Sequence, residues 1–248
     1  MRIMIITVAG VASRFSQSIG RPCLKCLYYK NDIRESLLYH ILSQNRAIDK
    51  YVIVGGFQFE KLERSIQLYF QEFRGRIILV RNDMYEAYGS GYSLYLGLDA
   101  IKDLMYDELV FAEGDLWVDD ESFQRVWETY GNVITCNNEA ILASKSVAFY
   151  YDREYRIHYI FDTTHSLLEI KEPFQGIFNS GQIWKFSRRE CVLKAVSELA
   201  QDEWKQTNLS FIQQYFGCLK QEEYEIIRLQ NWVNCNTVND FRKVERLR

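Results

Sequence analysis

The sequence predicts an α/β protein: a mostly parallel (mixed) sheet flanked by helices, with antiparallel additions in the second half. Three observations carry this. Through residue 131, short apolar runs alternate with helical periodicities, the rhythm that parallel strands and right-handed crossovers produce. The first run, Ile3-Met4-Ile5-Ile6-Thr7-Val8, reads as a buried strand and empties into a small-residue loop. From residue 132 the alternation stops and short β-like runs take over.

The elements follow in order. After the first loop, Leu37, Leu38, Ile41 and Leu42 recur at helical spacing, which predicts a helix over 34–45. Tyr51 to Val54 is a strand closed by Gly55-Gly56, and Leu62, Ile66, Tyr69 and Phe70 predict a helix over 59–73. Arg76 to Val80 is a further strand, and a polar loop from Asn82 to Gly91 leads into a helix carrying Leu94, Leu98 and Ile101. Leu109 to Ala112 is the next strand. It ends in Glu113-Gly114-Asp115, before a helix with Phe123, Val126 and Trp127. In the second half the β-like runs are 147–151, 155–160, 167–170 and 183–186, followed by helices near 188–200 and 207–216. A last strand, 225–229, precedes a helix after Thr237. The arrangement is Rossmann-like, and ligands of such sheets sit beyond the carboxyl ends of the strands.

Composition bounds the rest. With 248 residues, 48% of them apolar, and only 2 prolines, the chain reads as one domain, 1–248, without a Pro-rich hinge. A net charge of −3 argues against nucleic acid as a bulk partner, because a phosphate backbone wants a basic face. No apolar run approaches a membrane span. Cutting the opening off as a secretory leader would delete the best strand, so it is read as part of the fold. The six cysteines, including Cys23-x-x-Cys26, lack the spacing of a zinc set or a small disulfide scaffold and are read as reduced thiols of a cytoplasmic protein. The three histidines, His40, His158 and His165, show no triad-like setting and are read as structural.

Chemistry gathers after the first strand. Val8-Ala9-Gly10-Val11-Ala12-Ser13 leaves backbone N–H groups free to face an anion, and Arg14 and Lys25 add positive charge at the same strand end. Asp115 offers a hard oxygen ligand, and the glycine before it permits close backbone approach. Asp119 and Asp120 can cap the following helix themselves, which leaves Asp115 for a metal. An aromatic cage from Tyr85, Tyr88, Tyr92, Trp117 and Trp184 is a further possibility weighed against plain packing.

Taken together, these residues resemble the nucleotidylyltransferases that activate sugar phosphates and small phosphorylated alcohols or amines. Val8 to Arg14 is a variant of the family's A-A-G-x-G-x-R, with Ala12 in place of the second glycine, and Lys25-Cys26-Leu27 is similar to its K-x-L. Asn82 to Leu94 resembles the loop and helix start of the phosphocholine and aminoethylphosphonate cytidylyltransferases. Glu113-Gly114-Asp115 is similar to the metal-binding G-D, Asn179-Ser180-Gly181 to N-x-G, and Trp232 to Phe241 to the closing W-x-E-I-D-T-x-x-D-L. Asn234 and Asn236 stand where cytidylyltransferases of this kind carry Glu and Asp, although some uridylyltransferases of the wider family use Asn there.

The resemblance implies a nucleotide-binding half, 1–131, and an acceptor-binding half, 132–248. It implies Mg²⁺-dependent in-line attack of a phosphate or phosphonate oxygen on the α-phosphorus of CTP, giving a CDP-linked product for a cell-surface glycan such as a capsule, and pyrophosphate. A sugar-1-phosphate nucleotidylyltransferase using another nucleotide, a related glycosyltransferase and a non-catalytic nucleotide-binding module are the alternatives. By resemblance, the catalytic groups are Arg14, Lys25 and Lys171. The nucleotide contacts are Val8, Ala9, Gly10, Val11, Ala12, Ser13, Asn82, Gly91 and Ser93. The acceptor contacts are Tyr92, Trp117, Asn179 and Gly181, and the Mg²⁺ ligands are Asp115 and Asn236.

Overall fold

The computed structural model describes residues 1–44, 47–161 and 166–248. At its centre lies β1 (Arg2–Val8), hydrogen-bonded in parallel to β2 (Lys50–Gly55) on one side and β4 (Glu108–Glu113) on the other. Beyond β2, β3 (Ile77–Arg81) forms the parallel edge. Alternation along β1 explains why both faces are covered. Ile3 and Ile5 point to one face, and Met4, Ile6 and Val8 to the other. The first face packs on α4 (Ser90–Asp99), α6 (Arg189–Glu198), α7 (Gln201–Trp204) and α8 (Leu209–Phe216). The second packs on α2 (Leu37–Ser43), α3 (Phe59–Tyr69) and α5 (Asp120–Glu128). Residues Ile3 to Ile6 are wholly buried, each contributing roughly 1.5–3 kcal/mol of transfer free energy.

The second half extends the same sheet. The long strand β9 (Gly176–Phe186) runs antiparallel between β4 and β6 (Asn132–Asn137), and β10 (Tyr224–Arg228) lies parallel to β6. The hairpin β7 (Ala148–Tyr151) and β8 (Ile157–Ile160) is added to the first half of β9. A separate two-stranded ribbon pairs β5 (Leu116–Val118) with β11 (Trp232–Asn234), and α9 (Val238–Leu247) closes the chain behind a Thr237/Asp240 capping box.

Several boundaries differ from the sequence expectation. The helix expected over 34–45 begins as a 3-10 turn, Ile33–Glu35, and restarts at Leu37 because the Ser36 hydroxyl accepts the Tyr39 amide as a new N-cap. Asn45 lies outside the described residues. The helix expected over 59–73 stops at Tyr69, and Gln71–Phe73 forms a 3-10 turn. Residues 166–170 form no strand. Strands β5, β6 and β11 were not expected; β6 is buried along its whole length and so lacks the period-two signal of a half-exposed strand. Among the described residues, no helix is long and apolar enough to cross a membrane.

Candidate active site

The carboxyl ends of β1 and β4 open into a cleft of about 230 Å³. One wall is the loop after β1, where Val8, Ala9, Gly10 and Ala12 line the cavity. Ala12 holds φ 50°, ψ 42°, a left-handed conformation that disfavours a Cβ and suits the glycine usual there. Val11 is exposed, and Ser13 opens α1 (Ser13–Ile19); neither lines the cleft.

The floor is Glu113-Gly114-Asp115. A Cβ at Gly114 would sit 2.2 Å from Val8 Cγ1, so only glycine lets this turn lie against β1. Lys25, on the 3-10 turn Lys25–Leu27, donates from Nζ to Asp115 Oδ2 at 2.7 Å. Asp115 Oδ1 is buried and has no partner among the described residues. Glu113, the last residue of β4, also lines the cleft; burial and then the neighbouring Asp115 charge push its pKa up to about 7. Its Oε1 accepts from Asn208 Nδ2 at 2.8 Å.

The opposite wall comes from the loop before α4, with Tyr85, Tyr88 and Gly89, and from the first turn of α4, with Ser90 and Ser93. This loop is clasped by the segment joining α7 and α8. Gly89 N donates to Lys205 O at 2.7 Å, Gly91 N to Gln206 O at 3.1 Å, and Asn208 N to Ser90 Oγ at 3.1 Å. A Cβ on Gly89 would meet Gln206 O at 1.9 Å, so the clasp depends on glycine. Lys205 Nζ lies 5.6 Å from the Tyr88 ring centroid.

A second cavity, also about 230 Å³, has Arg14 in its wall and is bordered by β11, the start of α9 and the loop before β7. Arg14 donates to Asn236 Oδ1 at 3.0 Å, and Asn236 Nδ2 donates to Asn234 Oδ1 at 2.8 Å. The β5–β11 register and the Cys235 N–Asp115 O bond of 2.9 Å bring this wall beside Asp115.

The structure therefore brings Lys25, Asp115, Val8, Ala9, Gly10, Ala12 and Ser93 to one cleft, and Arg14, Asn179 and Asn236 to the adjoining one. It leaves other expected residues elsewhere. Lys171 is exposed, 3.5 Å from Glu169, and lines neither cavity. Asn82 shapes the loop, with Nδ2 donating to Ser93 Oγ at 2.9 Å and Oδ1 accepting from Met84 N. Gly91 packs on the Trp204 and Thr207 carbonyls. Tyr92 stands behind Tyr88, ring centroids 5.0 Å apart, and stacks on Tyr95. Trp117 is buried with Leu37, Val233, Cys235 and Val244, stacked on His40, because β5 turns it away from the cleft. Gly181 lies against Thr135 and Leu229, where a side chain would clash. Glu113, Ser90 and the Asn208 clasp were not singled out from sequence; a polar residue held across the fold leaves no local signal.

His40 contacts Val118 O at 2.8 Å, and burial lowers its pKa, so it stays neutral. His158 pairs with Asp152 at 2.9 Å, and His165 lies outside the described residues. Cys26 borders the cleft, but burial pushes its thiol up to about 12, which leaves no thiolate to act as a nucleophile.

The donor set fits Mg²⁺. Mg²⁺ prefers hard oxygens and commonly takes one or two carboxylates with the remainder from phosphate and water. The unpartnered Asp115 Oδ1 supplies one such oxygen, and Glu113 is adjacent. Asn236 Oδ1 already accepts from Arg14, and among the described residues no group of three or more His, Cys, Asp or Glu is placed to hold a metal by itself.

This fold is that of the nucleotidylyltransferases. The inositol-1-phosphate CTP transferase of T. maritima is similar over 100% of this chain and 94% of its own, at 15% identity and a TM-score of 0.69. The CTP:phosphocholine cytidylyltransferase of Streptococcus pneumoniae is similar over 100% and 99%, at 15% identity and a TM-score of 0.66. A putative glucose-1-phosphate thymidylyltransferase of Bacillus anthracis, solved with sucrose, is similar over 100% and 95%, at 18% identity and a TM-score of 0.70. By sequence the chain belongs to the family described as a domain of unknown function, DUF6564, whose model matches residues 21–248. No curated protein matches it in sequence.

Proposed function

We propose that this protein is a nucleotidylyltransferase that joins the nucleotidyl group of a nucleoside triphosphate, CTP in the leading reading, to a small phosphorylated acceptor and releases pyrophosphate. The observation that carries the reading is the Lys25–Asp115 pair on the cleft floor, with Asp115 Oδ1 buried and without a partner among the described residues, beside the loop after β1. Similarity of fold to three nucleotidylyltransferases supports it.

Both reactants are anions, so catalysis is a matter of positioning and charge neutralisation. Loop 8–12 takes the triphosphate and Lys25 neutralises its oxygens; Asp115 with Glu113 would hold Mg²⁺, which when bound would supply charge stabilisation to phosphoryl oxygens. Residues of 1–131 form the nucleotide side. The second cavity, built mainly from 132–248, takes the acceptor, with Arg14 at the boundary steering its phosphate. Lys171 has no part in this arrangement. With intracellular nucleotides as substrates, we place the protein in the cytoplasm, supplying an activated head group for cell-surface glycan assembly.

The test is a pyrophosphate-release screen pairing CTP, UTP, dTTP and ATP with phosphocholine, aminoethylphosphonate, phosphorylated amides and sugar phosphates, in Mg²⁺. Release that disappears in Asp115→Ala supports the proposal. Nucleotide binding with no release from any pair points to a binding module, and Asp115→Ala turnover equal to wild type removes the metal role.

A further inference from the structure

Among the described residues, the main sheet has outer edges at β3, β8 and β10, and two of these are protected. Gln213 of α8 reaches over β8, its Nε2 donating to Ile157 O at 3.0 Å and its Oε1 accepting from Tyr159 N at 2.7 Å. Along β10 stand exposed charges, Glu225 and Arg228. The β3 edge has neither device. Ile77-Ile78-Leu79-Val80 runs unbroken to Arg81 without a proline, and its pairing with β2 shows no bulge. A bare apolar edge of this kind is a template for another strand, and folded proteins rarely leave one uncovered.

The hydrogen bonds to β2 fix which main-chain groups of β3 lie open. Arg76 O accepts from Tyr51 N at 2.8 Å, and Asn82 N donates to Gly55 O at 2.7 Å, so residues 76 and 82 turn these groups inward. Alternation turns those of Ile78 and Val80 inward as well, and those of Ile77, Leu79 and Arg81 outward. The outward set is symmetrical about Leu79. A second β3 laid antiparallel, with a two-fold axis at Leu79, pairs Leu79 with its own copy and Ile77 with the copy's Arg81. Every outward N–H and C=O of both strands is then satisfied, in roughly six hydrogen bonds. Centring the axis on Ile78 or Val80 instead leaves one outward residue of each strand unmatched.

The side chains agree with that register. Ile77 and Leu79 pack on the α3 side of the sheet, Ile78 and Val80 on the α4 side, and all four stay partly exposed. A groove of about 460 Å³ runs beside the strand on the α3 side, its apolar lining supplied by Ile66, Phe70, Ile77 and Leu79. The two-fold axis sets this groove beside its copy and closes Leu79 on Leu79. The ends of the seam carry opposite charge. Asp83, exposed beyond the carboxyl end of β3, falls opposite the copy's Gly75 and next to its exposed Arg74. Gly75 has open space where a Cβ would stand, so the approach is unobstructed. Arg81 is neutralised within its own chain by Glu60 at 2.8 Å and Asp83 at 2.7 Å. We infer that β3 is the seam of a two-fold homodimer in which the sheets of two copies join into one. Each chain offers this edge once, so the pairing closes at two copies.

The full chain is followed by sedimentation velocity from about 1 to about 200 µM, and the β3 amides by hydrogen exchange over the same range. The expected result is a monomer–dimer equilibrium. Protection of the Ile77, Leu79 and Arg81 amides should rise with concentration, while that of Ile78 and Val80 should not change. Leu79→Lys sets two ammonium groups on the axis and should weaken the dimer at least about tenfold. Should that variant fail to fold, the exposed Asp83→Arg should weaken the dimer about threefold or more. Adding Arg74→Asp to it should restore association, which a purely local effect of either substitution would not do. A chain that stays monomeric throughout overturns the inference. So does a dimer that neither variant weakens, a dimer whose Ile77, Leu79 and Arg81 amides stay unprotected, or growth beyond two copies. None of these outcomes depends on nucleotidyl transfer.

Discussion

Replacing Asn208 tests the clasp that ties the α7–α8 connection to the cleft. The residue is 2% exposed, and its Nδ2 supplies a 2.8 Å bond to Glu113 Oε1. Asn208→Ala removes that donor and leaves a buried carboxyl oxygen unsatisfied, a loss of about 1.5–3 kcal/mol for a bond to an ionisable acceptor. In a chain of 248 residues each kcal/mol moves the melting temperature by about 2–4 °C, so a drop of about 3–12 °C is expected. Asn208→Asp is nearly isosteric but sets a second carboxyl against Glu113, and should cost more than the alanine. Because Glu113 lines the cleft, nucleotide affinity should weaken in both variants. Thermal unfolding followed by circular dichroism, with and without CTP, reads both effects. A melting temperature for Asn208→Ala within about 1 °C of wild type, or an aspartate variant no worse than the alanine, would refute the reasoning.

Ala12→Gly should raise stability by about 0.5–1 kcal/mol, since relief of the left-handed strain outweighs the added freedom of the unfolded chain; a lowered urea midpoint would contradict this. Lys171→Ala should change kcat/KM by less than about twofold, because an exposed ion pair contributes little; a tenfold loss in a steady-state assay would return Lys171 to the site. Burial alone would raise the pKa of Asp119, but the Ser122 and Asn231 amides that donate to its carboxylate outweigh it and hold the group below its ordinary value. Its stabilisation is thus present above about pH 4 and lost as pH falls through the lower folded value, so Asp119→Asn should be less stable near neutrality and converge with wild type in acid. Urea midpoints taken against pH show whether that gap closes. Mg²⁺ alone should bind only in the millimolar range and tighten when CTP is present; micromolar binding of Mg²⁺ alone by calorimetry would place more protein ligands on the ion.

What was legible in the sequence was local. A buried strand running into small residues places the loop after β1, and a strand ending in Gly114-Asp115 places the cleft floor, without knowledge of any partner strand. What was not legible depends on which face a residue takes. Trp117 and Tyr92 carry the same aromatic signal as Tyr88, but β5 pairing sends the first into the α2–α9 core and helix geometry sets the second behind Tyr88. Gly91 and Gly181 read as sites of ligand approach, and each instead admits a neighbouring piece of the protein. The Glu113–Asn208 bond spans 95 positions, and the β5–β11 ribbon joins the middle of the chain to its C-terminal segment, so neither leaves a spacing to find. Lys185 shows the converse: a lysine in a strand that is wholly buried because Glu108 and the carbonyls of Trp127 and Thr129 receive its three protons, far along β4 from the cleft.

The proposed function draws on the neutral pair Asn234 and Asn236, which stands between the two cavities' walls. The Cys235 N–Asp115 O bond sets the Asn236 segment beside the floor, so a carboxylate at this position would add to the acidic groups Glu113 and Asp115 and draw Arg14 into an ion pair. An amide holds Arg14 by one 3.0 Å hydrogen bond. That contact is weaker than a charge-assisted pair, so an arriving phosphate competes for the guanidinium at lower cost. The same substitution removes negative charge from the second cavity, where Asp240 is bound into the α9 cap and Glu139 lies near a lysine. Amides at both positions therefore leave Arg14 without a carboxylate from this segment.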